Sequence, residues 1–184
     1  MNFLAHSILS PNNPLIMLGN LSGDFVKGSK FDGLHDDICK GVKLHRSIDM
    51  YTDAHALIRN AKKIVRPDFK LFSGIVIDMF FDHFVAKYHI DLKSHVNYVY
   101  KSANKNFIFL PDGFKSVFPY MEKYNWLGLY AQYHGLRMIM WQMRQRIKNK
   151  SPLDTAVDLL IYNEVELKKL FDEFWKDINK EFSF

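Results

Sequence analysis

The stretch from Phe69 to Ile90 constrains this chain more than any other, because apolar side chains occupy nearly every side of the helix it can form. Phe72, Ile75, Val76, Ile77, Met79, Phe80, Phe81, Phe84 and Val85 leave no polar stripe wide enough to face water. Such a helix is stable as the centre of a bundle, with other helices around it. The remaining sequence can supply them, since apolar spacing near 3.6 recurs and strand-like alternation is hard to find. Residues 2–9, 15–27, 34–65, 94–108, 114–124, 126–148 and 153–182 read as helical. A break is expected near Thr52–Asp53 and a joint at Gly135. Pro67 is expected to close the 34–65 segment, with Asp68 capping the next helix. Ser151-Pro152 marks the start of the last one. The expected fold is all-α, a single-domain bundle of about six to eight helices over residues 1–184.

Composition narrows the classes further. With 48% apolar and 15% aromatic residues, the chain can bury enough surface to offset its ordering entropy, so disorder is disfavoured. Cys39 is the one cysteine, which excludes an internal disulfide framework. No apolar run approaches the roughly 20 residues that span a bilayer. The start lacks the basic and small-residue marks of a signal peptide, so a cytoplasmic protein is expected. Twenty-five Lys and Arg against 20 Asp and Glu leave a net charge of +5, which attracts nucleic acid, anionic lipid or acidic protein without choosing among them.

Chemistry is sought in polar residues placed inside apolar helices. Asp78 and Asp82 lie four apart, on one helix face, with His83 beside them. Carboxylates so close in a dry setting stay ionised when a cation holds them, and a divalent metal is the usual one. His45 and Asp49 have the same spacing, and an imidazole with a carboxylate suits Mn, Fe or Zn. Arg46 adds a planar fork that matches phosphate. His6 sits in an apolar start, and Asp24 follows Gly19-Asn20-Leu21-Ser22-Gly23, where glycines permit close backbone approach. Plainer roles compete at each point: surface pairs, a hydrogen-bonded core histidine, a turn aspartate. The literal doublet His35-Asp36 reads as a loop and helix N-terminus rather than a metal site. Gly-rich nucleotide loops and a Gly-x-Ser-x-Gly elbow are absent from the sequence.

Four segments carry a resemblance: MNFLAH at 1–6, GNLSGDFVKG at 19–28, GVKLHRSIDMYTD at 41–53 and IDMFFDHF at 77–84. In this order and spacing they resemble the acyl carrier protein phosphodiesterases, and a weaker likeness runs through Trp126–Arg146. The resemblance implies a divergent relative of the His-Asp phosphohydrolases, with a bundle like that of the HD domain. It implies hydrolysis of the phosphodiester that attaches 4′-phosphopantetheine to holo acyl carrier protein, with a divalent metal, typically Mn²⁺. This chain departs from the wider superfamily, because the order at 82–83 is Asp-His. Helix geometry and metal chemistry then nominate Asp24, Asp49, Asp78, Asp82 and His83 as the ligand pool, one of which could serve as general base. His6 and His45 are ligands or acid–base groups, and Arg46 a phosphate clamp. The acidic carrier suits the basic chain, with Arg137, Arg144, Arg146, Lys148 and Lys150 as the candidate docking stretch. Two other functions fit the same residues: a phosphohydrolase of nucleotides or small phosphoesters, and a helical binding domain with a structural ion.

Overall fold

The computed structural model describes residues 2–28 and 31–184. Among these the protein is all-α, with no strand. The helices are α1 (Phe3–Ile8), α2 (Pro14–Leu21), α3 (Asp36–Ala54), α4 (Ala56–Phe69), α5 (Ser73–Tyr88), α6 (Leu92–Lys105), α7 (Asp112–Lys123), α8 (Trp126–Leu129), α9 (Tyr133–Arg146), α10 (Ala156–Tyr162) and α11 (Glu164–Glu181). A short 3-10 turn over Gly23–Phe25 follows α2. Among the described residues, no helix is long and apolar enough to cross a membrane.

There are more helices than the six to eight expected, because several long segments are cut. The 34–65 segment divides at His55, whose extended backbone ends α3 and whose ring accepts the Leu57 N–H that begins α4. The 126–148 segment divides at Tyr130–Gln132 rather than at Gly135, which lies in the first turn of α9. The last segment divides at Asn163. Pro67 does not end its helix, contrary to expectation. It lies inside α4, which runs on to Phe69, and Asp68 caps nothing. The Lys63 carbonyl that loses its partner to Pro67 is on the exposed side, where water can satisfy it.

The apolar helix is central, as its sequence requires. Val76, Ile77, Phe80, Phe81 and Phe84 of α5 are fully buried, and α5 packs against α1, α4, α9 and α11. Phe171 and Phe174 of α11 meet the Phe81 ring at centroid distances of 5.3 and 5.6 Å. The second organising contact is between α2 and α3. A Cβ on Gly41 would stand 2.1 Å from the Ile16 carbonyl oxygen, and one on Gly19 would stand 2.3 Å from that of Ile38. Both helices therefore need glycine where they cross.

Gly41→Ala should force α2 and α3 apart and destabilise the protein by about 1–3 kcal/mol, the usual range for overpacking a close contact. Urea denaturation measures this, and a variant as stable as wild type would show that the crossing tolerates a methyl group.

Candidate metal centre

Three elements bring the centre together. α1 carries His6, α3 carries His45 and Asp49 one turn apart, and the turn after α2 carries Asp24. α1 is pinned at its start by Asp82 of α5: one carboxylate oxygen accepts the Asn2 N–H at 3.1 Å and the other the Leu4 N–H at 2.8 Å. Burial pushes the Asp82 carboxyl up to about 7, against the pull of these two hydrogen bonds.

Asn20, buried at the crossing of α2 and α3, sets both imidazoles. Its Nδ2 donates to the His6 carbonyl at 2.7 Å and to Ser10 Oγ at 2.8 Å, so its Oδ1 is the atom 2.9 Å from His6 Nδ1. Its backbone carbonyl lies 2.7 Å from His45 Nδ1. Both partners are acceptors, so both Nδ1 atoms carry protons and both Nε2 atoms face the same small space. There His6 Nε2 is 3.2 Å from Asp49 Oδ1, and His45 Nε2 is 3.1 Å from Asp49 Oδ2 and 3.2 Å from Asp24 Oδ1. The two rings stack at a centroid distance of 4.0 Å. Gly23 makes room, since a Cβ there would stand 2.3 Å from the His45 ring.

The charges balance poorly without a cation. Burial is the largest influence on His6 and holds its pKa low, so the ring is neutral at pH 7. Its buried Nε2 has no hydrogen-bond partner among the described residues: with the ring proton on Nδ1, this nitrogen and the Asp49 carboxylate 3.2 Å away both present lone pairs. Burial also works against the His45 imidazolium, but the bonds to Asp24 and Asp49 outweigh it and raise that pKa to about 9. Burial works against the Asp49 carboxylate, but the His45 bond and the nearby His6 ring hold it far below the usual carboxylate range, and the His45 bond lowers Asp24 as well. His6, His45 and Asp49 can each offer one ligand atom within 4.8 Å of the others. Two imidazole nitrogens with their far N–H groups held by carbonyls, plus a carboxylate, are the donors a divalent transition ion takes. The residues present fit such an ion.

The structure thus brings His6, His45, Asp49 and Asp24 together, although the first two were nominated as ligands or acid–base groups. It does not bring Asp82 or His83 to them. Asp82 is occupied at the start of α1, and His83 Nδ1 faces the Tyr130 carbonyl at 2.7 Å with its ring stacked on Tyr133. Being consecutive on a helix, the two point about 100° apart. Asp78 lines a cavity of about 620 Å³ together with Asp24. Arg46 donates to the Val26 and Gly28 carbonyls at 3.0 and 2.6 Å and stacks over Phe31, so it ties down the chain after the Asp24 turn. His35 caps α3 by accepting the Asp37 N–H. Asn20 went unnoticed in the sequence. Its signal was a polar side chain within the apolar run Leu15–Leu21, the same signal that singled out Asp78 and Asp82.

Two outcomes follow from this geometry. A divalent ion must displace the His45 proton, so loading at pH 7 should release close to one proton, read by calorimetry in buffers of different ionisation enthalpy. Apparent affinity should strengthen about tenfold per pH unit and level off above the His45 value of about 9. Asn20→Ala removes the acceptor for His6 Nδ1 and should weaken metal binding about 10- to 100-fold. Unchanged affinity in that variant would show that Asn20 does not orient the ring.

Comparison with known proteins agrees over the whole length. Curated relatives include acyl carrier protein phosphodiesterases from Photorhabdus laumondii subsp. laumondii, 25% identical with 99% of this chain and 98% of the relative covered, and from Yersinia pestis, 26% identical with 98% and 97% covered. Another, from an Enterobacter species, is 27% identical with 96% and 93% covered. No solved structure matches the chain significantly. The family model for acyl carrier protein phosphodiesterase matches residues 1–178, and with the histidines and aspartates above falling inside that span, the chain belongs to this family.

Proposed function

We propose that this protein hydrolyses the phosphodiester joining 4′-phosphopantetheine to the serine of holo acyl carrier protein, releasing apo carrier protein and 4′-phosphopantetheine. The observation that carries the chemistry is the pair of Nε2 atoms aimed at Asp49, each fixed by Asn20 through the opposite ring nitrogen. Family membership supplies the substrate. The arrangement is in keeping with a divergent His-Asp phosphohydrolase, with its own order of residues.

His6, His45 and Asp49 would hold the divalent metal, for which manganese is our choice, and Asp24 stands next to them. Bound there, the ion would lower the pKa of a water and offset charge on the phosphoryl oxygens. The protein's own groups do the rest. Asp24 is ionised at neutral pH and is exposed on the cavity side, where its free oxygen can orient the attacking water or take its proton. The neighbouring cavity is walled by Phe3, Phe25, Met79, Trp126, Tyr130 and Met143, which suit an uncharged, flexible arm. Asp78 adds a second carboxylate on that wall. Asp82 acts through α1, whose position decides where His6 points.

The test is incubation with holo acyl carrier protein and Mn²⁺, followed by mass spectrometry of the carrier. The carrier should lose the mass of the phosphopantetheine arm, and a chelator should stop the loss. Asp49→Ala should cut turnover by more than about a hundredfold, beyond the usual effect of losing an outer-shell partner. Wild-type turnover in that variant would remove the centre from the reaction.

A further inference from the structure

Arg46, nominated as a phosphate clamp, is committed to the Val26 and Gly28 carbonyls. Among the described residues lining the cavity, Arg146 is the one cation. It lies in the last turn of α9, exposed, and its guanidinium has no hydrogen bond or ion pair among the described residues. Other arginines of the basic stretch are engaged locally. Arg137 forks onto Asp158 at 2.6 and 3.1 Å, and Arg144 meets Asp154 at 2.9 Å. The charge expected along Arg137–Lys150 is therefore partly neutralised within the chain.

Arg146 also has a second place. With Gln142 and Trp126 it lines an outer groove shared with Tyr120 and Tyr124, which are 60% and 48% exposed. Cavity and groove thus form one continuous surface, and Arg146 stands where they join. A scissile bond carried on a folded protein restricts what can enter: the arm can lie in the cavity, but the carrier must stop at the rim. What it meets there is a guanidinium and two tyrosine rings, on a chain of net charge +5.

We propose that Arg146 is a specificity-determining residue that engages carboxylates on the acidic protein substrate where the cavity meets the outer groove. This rests on the function proposed above. An arginine fork suits a carboxylate, and a charge at the rim governs encounter and binding more than the chemical step.

Arg146→Ala, Arg146→Glu and Arg146→Lys should be assayed with Mn²⁺ on holo acyl carrier protein and on bis(4-nitrophenyl) phosphate, with thermal melts to confirm folding. Arg146→Ala should raise KM for the carrier about tenfold and Arg146→Glu further, as expected for losing or reversing a charge contact. Arg146→Lys should recover part of the loss. The kcat on carrier and turnover of the small diester should stay within about twofold of wild type, and the salt dependence of KM should flatten in Arg146→Ala. An unchanged KM in Arg146→Glu would overturn the proposal. So would a parallel loss on the small diester, which would place Arg146 on the phosphate instead. Failure of the underlying function looks different: wild type itself would release no arm from the carrier, and both readings would fall together.

Discussion

The crossing of α2 and α3 is the contact on which the centre depends. Gly19 and Gly41 let the two backbones meet where any side chain would intrude on a carbonyl oxygen. Only at that separation does the Asn20 carbonyl reach His45 Nδ1 from a neighbouring helix. Gly23 extends the same economy of space by one turn, allowing the His45 ring to lie against the backbone that carries Asp24. Three glycines that weaken local helix propensity thereby serve a site that needs close backbones.

A second constraint acts through charge. Asn20 forces both histidines into the same tautomer, which turns two lone-pair nitrogens toward one carboxylate. Buried donors of this kind repel unless something positive stands among them. A proton on His45 meets the need in part, which is why that imidazole holds its proton so tightly, and His6 Nε2 still lacks a hydrogen-bond partner. The same tension would favour a divalent ion among these donors, and a proton would compete with it directly.

Polar residues inside apolar helices were a sound guide to importance and a poor guide to role. Asp78, Asp82 and His83 share one helix, but each meets a different environment. Asp78 faces the cavity, Asp82 meets the unpaired N–H groups at the start of α1, and His83 meets the Tyr130 carbonyl. Local spacing specifies which residues share a face of α5, but the partner waiting at that face belongs to segments about 50 to 80 residues away. His45 and Asp49 could be paired from spacing alone because both partners lie on one helix. Asn20 could not be linked to either histidine, because its contacts span 14 and 25 residues.

By itself, the sequence determined the all-α class, the central place of the helix around Phe80, and the pairing of His45 with Asp49. Each of these follows from periodicity, which is a property of neighbouring residues. Tertiary structure alone decided that His6 and Asp24 complete that pair, that Asp82 secures α1, and that Arg46 ties down a loop while Arg146 lines the cavity. The physical reason is that a ligand set or a cavity is an intersection of helix faces. Where those faces intersect is set by how closely backbones can approach, and here that distance is decided by glycines at a crossing between helices far apart in the chain.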